Sequence, residues 1–496
     1  MTSTIVDRHP KKAFLVLFFI EIWERFGYYG MASIMVLYMV ERMGFGDAQS
    51  DIIWGAFSAL VYSMPMLGGY LGDRVLGARR TLVLGAVTLG LGYLLLSVPL
   101  KETLFPAMGL IALGNGLFKV NPNNLVSRLH EGDHSKLDIL FTLYYMSLNI
   151  GSFVSILLTP WIKDQTSWAI TVGALHVDSW HLAFGLSAIG LTLGLVNYGI
   201  FQHYLRPYGA APDFQKLNWQ KLGVVIGISL MIAFLLAEII RHPTAAFVVV
   251  ALFFILMIYV FAHLLMTGEK HTRNRIIACI VFTAISAIWA IYNQQIYTSL
   301  TLFALRNVEH NILGMHVSAA QFQDLNQFWL VLLAIPLAWS YQRMQKTRRG
   351  DFSIAAKYTA GMYLLALAFF LYAASSLTAH AGFVSSWWLV AGYAAQSLGE
   401  LLISALGFSM VSQLVPERSR GIIMGAWFLG MGISNYVGGA IASLASIPAG
   451  IVQSTVTLPI YVKLFAGLGI GALVCAIVLT ALIPLLKRLM VKYEMV

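Results

Sequence analysis

Residues 13–40 read A-F-L-V-L-F-F-I-E-I-W-E-R-F-G-Y-Y-G-M-A-S-I-M-V-L-Y-M-V, an apolar run of 28 residues with Glu21, Glu24 and Arg25 near its middle. About 20 apolar residues in a helix cross the hydrocarbon core of a bilayer. The run is too long for a signal-peptide core and no evident cleavage site follows it, so it reads as a first membrane span. Three charges at one depth are costly in lipid and have to face a cavity or one another. Steps of three and four place them on one helical face, where Glu21 and Arg25 can pair. One carboxylate is then short of a cation.

The rest of the chain repeats the apolar run with few such charges. Of 496 residues, 58% are hydrophobic and 11% charged, against roughly 25% charged in a soluble domain. Apolar stretches predict fourteen spans, at 13–40, 51–73, 82–99, 104–126, 139–161, 180–203, 222–240, 244–267, 276–303, 325–342, 358–378, 386–412, 421–445 and 461–486. An even number puts both termini on one side. Loops on that side hold 24 of the 32 Lys and Arg residues, the opposite loops and span ends hold six, and Arg25 and Lys119 lie deep within spans. Basic loops face the cytoplasm, so both termini are expected there. The same rule accounts for the net charge of +10 without a nucleic-acid partner. Cys279 and Cys475 sit in separate apolar runs and suggest neither a disulfide framework nor a metal site. With no long polar domain, nucleophile constellation or phosphate loop, the reading is a transporter rather than an enzyme, and no cofactor beyond protons is expected.

Two polar stretches divide the spans. Residues 206–221 carry two prolines and follow six spans. The basic stretch 268–275 follows the next two. The plan is therefore all-α and polytopic, 6+2+6: a six-helix bundle in 1–205, a linker with an inserted two-helix hairpin in 206–275, and a second six-helix bundle in 276–496. Two joined six-helix bundles describe the major facilitator fold, whose substrate site lies near the midplane between the halves. Residues 68–80, G-G-Y-L-G-D-R-V-L-G-A-R-R, resemble the signature loop of that superfamily. Its glycines let helices approach closely, and Asp73 is placed to pair with Arg74, Arg79 or Arg80 and latch a cytoplasmic gate. A mere topology signal would need the basic residues but not the ordered glycine–acid–base spacing.

Once the loops are assigned, the ionisable groups left deep in spans are Glu21, Glu24, Arg25, Lys119, Glu238 and Glu400. Lys119, in G-N-G-L-F-K-V-N-P-N-N, supplies the second cation for the first-span carboxylates. Two negatives and two positives form a switch: a carboxylate that takes a proton frees a cation for an anionic ligand. Burial and neighbouring cations act on a carboxyl in opposite directions, which is how such clusters come to titrate near physiological pH. Glu400, in Q-S-L-G-E-L-L-I-S, has no cation in its own span and suits an ammonium. Cations in one half and a carboxylate in the other fit a zwitterion such as a short peptide. A purely structural ion-pair network is the weaker reading, because apolar packing achieves the same end at lower cost. For Glu400 the plainer alternatives are pairing with another helix or snorkelling. Glu238, beside Arg241 and His242, reads as a boundary anchor.

These residues resemble the proton-coupled oligopeptide transporter family, along nearly the whole chain. E-I-W-E-R-F-G-Y-Y-G is similar to its E-x-x-E-R-F-x-Y-Y-G motif, G-N-G-L-F-K-V-N to its fourth-helix lysine motif, Y-Y-M-S-L-N-I-G-S (144–152) to its fifth-helix signature, and S-L-G-E-L-L-I-S to its tenth-helix motif. The resemblance implies a bacterial inner-membrane symporter that imports di- and tripeptides, possible peptidomimetic drugs among its substrates, with lipids around it and a monomer as the working unit. A related carrier of another zwitterion, an anion or a peptide-like drug is the alternative. It further implies proton coupling by Glu21, Glu24, Arg25 and Lys119. The implied pocket is lined by Arg25, Tyr28, Tyr29, Tyr62, Lys119 and Asn149 in the first half and by Trp289, Asn293, Asn326, Glu400, Ser404 and Trp427 in the second. Taken singly, aromatics in spans are more often packing or interfacial anchors. The chain departs from the family at Ala32, where many members have arginine, at Asn293, where many have an acid, and at Gln327, where proline is common. Losing the first two together removes the usual outer ion pair without stranding a charge. Closure is expected to rely on packing and hydrogen bonds instead of that pair.

Overall fold

The computed structural model describes residues 9–129, 134–172, 175–267, 270–345, 352–414, 417–448 and 453–491. Its helices, in order, are α1 (Pro10–Leu37), α2 (Asp47–Ser63), α3 (Pro65–Tyr70), α4 (Ala78–Leu96), α5 (Leu104–Lys119), α6 (Asn121–Leu129), α7 (His134–Lys163), α8 (Ser179–Phe201), α9 (Trp219–Arg241), α10 (Pro243–Thr267), α11 (Lys270–Asn293), α12 (Ser299–Asn307), α13 (Asp324–Gln345), α14 (Ile354–Ala374), α15 (Trp387–Leu414), α16 (Glu417–Ala442) and α17 (Ser454–Val491). Two small antiparallel hairpins, β1 (Ile170–Val172) with β2 (Leu175–Val177) and β3 (Asn311–Ile312) with β4 (Met315–His316), are the only sheets among the described residues.

The helix starts follow local chemistry. Proline occupies the first position of α1 and α3, where its missing N–H costs nothing. Asp178, Asn218 and Ser353 cap α8, α9 and α14 by accepting from the N–H three residues on, the usual way of satisfying an orphan donor. Eleven segments among the described residues are long and apolar enough to cross a membrane. Long helices α1, α13 and α15 stand where the sequence predicts three more spans. The architecture is that of an α-helical, multi-pass membrane protein of the major facilitator type. α10 is little covered by the described chain: only 17% of its apolar window is buried, and Phe247, Ile255 and Tyr259 are exposed. A long helix apolar all round and mostly uncovered suits lipid.

The chain forms two compact units, Met1–Tyr38 with Ala56–Ala246 and Met39–Gly55 with Phe247–Val496. This division differs from the bundle boundaries read off the polar stretches. It runs through the inserted hairpin, because α9 packs against α5: a methyl at Gly109 would stand 2.9 Å from the Ala237 nitrogen. It also assigns the first turns of α2 to the second unit.

Within the first unit α1 lies against α7 and α8, and α4 against α5. Gly151 on α7 allows the closest of these approaches, since a methyl there would collide with the Ile22 carbonyl and stand 3.0 Å from the Arg25 Cβ. In the second unit α14 packs against α15 and α17, α11 against α16, and α13 against α15. Large buried aromatics, Tyr358, Phe369, Tyr372, Tyr393, Tyr461 and Phe465, fill its core.

Candidate functional site

The first-span charges are fully inside the first unit. Glu21, Glu24 and Arg25 are 2%, 0% and 6% exposed. Arg25 Nε stands 3.1 Å from Glu21 Oε1 and also contacts Glu24 Oε2, so one guanidinium serves both carboxylates. The other carboxylate oxygens are held from neighbouring helices. Tyr144 on α7 donates its hydroxyl to Glu21 Oε2 at 2.6 Å, and Asn115 on α5 donates its amide to Glu24 Oε1 at 3.3 Å. Both bonds favour the ionised carboxylates.

Lys119, the last residue of α5, is arranged differently from the sequence expectation of an ion pair. Its ammonium lies 4.3 Å from the centre of the Tyr62 ring, a cation–π contact. Among the described residues no carboxylate lies within ion-pair distance of it. Arg25 has taken both carboxylates, and Lys119 keeps a charge that an anion can engage. Tyr28 and Tyr29, half-buried, meet edge-on at 5.5 Å one turn beyond Arg25. Asn149 bonds its own helix, donating to the Tyr145 carbonyl at 3.0 Å.

In the second unit, Asn326 on α13 reaches α15. Its amide nitrogen donates to Glu400 Oε2 at 3.0 Å and to Ser397 Oγ at 3.1 Å. The Ser397 hydroxyl in turn donates to the Asn326 main-chain carbonyl at 3.2 Å. Trp289 and Asn293 stand one turn apart on α11, both half-buried. Trp427 on α16 is 9% exposed and meets the Phe428 ring at 5.3 Å. Ser404 lies on α15 one turn beyond Glu400, with its side chain outside the described residues.

The signature loop is where the pairing differs most from expectation. Asp73 is half exposed and faces Arg128 at 3.9 Å, not Arg74, Arg79 or Arg80. Arg79 is turned to the segment after α8, donating to the Asp213 carbonyl at 2.9 Å and lying 3.7 Å from Asp213 Oδ1. Arg80 donates to the carbonyls of Pro212 at 3.1 Å and Gln215 at 2.6 Å. Arg74 is exposed. The cause is Asp213, which is 5% exposed and offers a buried carboxylate, with the main-chain carbonyls that the arginines take close by. Gly77, at φ +102°, lets it in, since a side chain there would collide with the Asp213 carboxyl. Glu238 lies 3.3 Å from Arg241 and 3.4 Å from His242, the two neighbours the sequence sets beside it.

Tyr144, Asn115, Ser397 and Asp213 went unassigned on sequence alone. For Tyr144 a signal exists: Ser147, Gly151 and Ser155 follow it at steps of three and four and define the face of α7 that packs closely. That face carries Tyr144 and not Tyr145. Asp213 has no comparable signal, because the arginine it meets lies 134 positions away.

The profile of the POT family matches residues 79–457. The dipeptide and tripeptide permease B of Edwardsiella piscicida is 39% identical over 486 residues, covering 97% of this chain and 96% of that one. A crystal structure of tetrameric PepTSo2 superposes with a TM-score of 0.86 at 40% identity, covering 97% of this chain and 99% of that one. A structure of a proton dependent oligopeptide transporter does so with a TM-score of 0.84 at 39% identity, covering 96% and 100%. Motifs, fold and these likenesses agree, and the chain belongs to the POT family.

Proposed function

We propose that the chain is a proton-coupled symporter that imports di- and tripeptides across the bacterial inner membrane by alternating access, with both termini cytoplasmic. The observation that carries this reading is the division of labour in the first unit. Arg25 neutralises Glu21 and Glu24 together, while Lys119 holds a charge matched by no carboxylate within ion-pair distance among the described residues. A peptide carboxylate completes that balance, and a proton on Glu21 or Glu24 frees part of Arg25 for it. Glu400, oriented by Asn326, suits the peptide's ammonium group. Tyr28, Tyr29, Tyr62, Trp289 and Trp427 would form walls, with Asn149, Asn293 and Ser404 as polar contacts. Asp73, Arg74, Arg79 and Arg80 would control the cytoplasmic end.

The drive is sufficient: one charge moved across about 100 mV is worth about 2.3 kcal/mol. The termini and backbone are common to all short peptides, so reading them permits many side chains, including those of peptide-like drugs. The names of similar proteins support the substrate class and the dependence on protons. The functional unit is proposed to be one copy of the chain, although PepTSo2 is a tetramer in its crystals. The test is uptake of a labelled dipeptide into proteoliposomes with and without an imposed proton gradient. Accumulation above equilibrium only with the gradient is expected; equal uptake in both conditions would contradict the reading.

A further inference from the structure

Asn115 meets Glu24 with only half of its amide. Its Nδ2 donates to Glu24 Oε1 at 3.3 Å, long for a hydrogen bond. Its Oδ1 has no hydrogen-bond partner among the described residues. The residue is 1% exposed, so this carbonyl is a buried acceptor with nothing to accept. Few native polar groups are left so, and each calls for a reason.

The backbone beneath the amide is fixed. Asn115 stands between Gly114 and Gly116. A methyl at Gly114 would stand 2.7 Å from the Leu89 nitrogen of α4, and one at Gly116 would collide with the Met64 Cβ. The two glycines let α5 lie directly on its neighbours. Asn115 can therefore answer a change at Glu24 only by turning its side chain.

A proton is such a change. Arg25 Nε contacts Glu24 Oε2, so the oxygen clear of the guanidinium is Oε1, the one that faces Asn115. A carboxylate only accepts, whereas a protonated carboxyl also donates. A proton on Oε1 would meet Nδ2 donor against donor. The amide carries its own remedy, because a half-turn about Cβ–Cγ exchanges Nδ2 for Oδ1. No bond to Oδ1 among the described residues resists that turn. Glu21 has no amide beside it: its oxygens meet Arg25 Nε and the Tyr144 hydroxyl. The charged and titratable groups around the Glu24–Asn115 contact are Glu21, Arg25 and Tyr28 on α1, Lys119 one turn along α5, Tyr144 on α7 and Tyr93 on α4, whose ring packs on α1 at Gly27.

We propose that Asn115 is a positioning residue whose amide turns with the protonation state of Glu24. Nδ2 donates to the carboxylate, and Oδ1 accepts from the protonated carboxyl. Glu24 is thus held against α5 in both states, and what the proton sets loose is the Arg25 guanidinium rather than the acid. This rests on the reading of Glu24 as a proton-coupling residue.

The test is infrared difference spectroscopy of the full chain in lipid, between acid and alkaline pH, with gradient-driven uptake measured alongside. The protonated-carboxyl band that Glu24→Gln removes belongs to Glu24. A carboxyl that donates to an amide carbonyl absorbs at lower frequency than one that donates to nothing. Asn115→Val is expected to move the band up, and Asn115→Thr, of the same shape but with a hydroxyl that donates and accepts, to bring it back down. Uptake is expected to fall about tenfold in Asn115→Val, the order expected for one lost hydrogen bond, and to recover in Asn115→Thr. The alkaline limb of uptake is expected to keep its place in Asn115→Val, because both protonation states lose a bond; a residue that only donated would send it to higher pH. A band at its original frequency, uptake at the unsubstituted level or a limb moved to higher pH in Asn115→Val overturns the turning amide. A spectrum in which Glu24→Gln removes no band overturns instead the reading of Glu24 as a proton site, and the proposal with it. Asn115→Ala and Asn115→Ser make the same comparison should the branched pair not fold.

Discussion

The Tyr144 hydroxyl on α7 donates to Glu21 Oε2 on α1 at 2.6 Å, so a buried carboxylate of the first span is held from a helix more than 100 positions away. This bond favours the ionised carboxylate, and a hydrogen bond to a charged group is worth about 1.5–3 kcal/mol. Tyr144→Phe keeps the ring and removes the donor. Glu21 is then more readily protonated, and the alkaline limb of gradient-driven uptake is expected to move to higher pH. A limb that stays in place or moves to lower pH, in uptake measured across a pH series, would contradict the assignment.

Ser397 holds the Asn326 amide by accepting from its nitrogen, while its own hydroxyl donates to the Asn326 main-chain carbonyl. Ser397→Ala leaves that amide free to turn away from Glu400. KM for peptides with a free amino terminus is expected to rise by about tenfold, the equivalent of about 1.4 kcal/mol, with little change in kcat. The KM of an N-acetylated peptide is expected to change much less. Equal effects on both peptides in competition assays would show that Ser397 only packs.

Gly151 sits where α7 crosses α1 at the level of Ile22 and Arg25. Gly151→Ala forces the helices apart or strains them, and overpacking of this kind costs about 1–3 kcal/mol. A lower melting temperature in detergent is expected, together with impaired uptake, because the same shift lengthens the Tyr144–Glu21 bond. Gly199, where a methyl meets nothing within 4 Å, is the control position and should tolerate alanine. A normal melting curve for Gly151→Ala would contradict the packing argument.

Asp213 ties the segment after α8 to the signature loop. Asp213→Asn removes the ion pair with Arg79 and leaves the backbone bonds from Arg79 and Arg80 in place. The expected result is a modest loss of stability, about 1 kcal/mol, and faster proteolysis within residues 206–221. Unchanged proteolysis would show that the backbone bonds alone hold the segment.

The sequence was most legible where a property is local. Apolar length marks the spans, and the i+3 and i+4 spacing of Glu21, Glu24 and Arg25 places them on one face of α1. The shared grip of Arg25 on two carboxylates was less legible, because the ammonium of Lys119 could as well have taken one of them. What decides between them is the Tyr62 ring beside Lys119, a contact between α2 and α5 that spacing does not encode. Pairs that bridge distant segments were not legible at all. Asp73 has three arginines nearby in the loop, yet Arg79 turns to Asp213, 134 positions on.

The central claim is that Glu21 and Glu24 take the coupling proton while Lys119 meets the peptide carboxylate. The most direct measurement compares accumulation of a labelled dipeptide in proteoliposomes, under an inward proton gradient, between the unsubstituted chain and its Glu24→Gln and Lys119→Ala variants, with counterflow as the readout of binding alone. The account predicts that Glu24→Gln loses gradient-driven accumulation and keeps counterflow, whereas Lys119→Ala loses both. Accumulation at the unsubstituted level in either variant would contradict it.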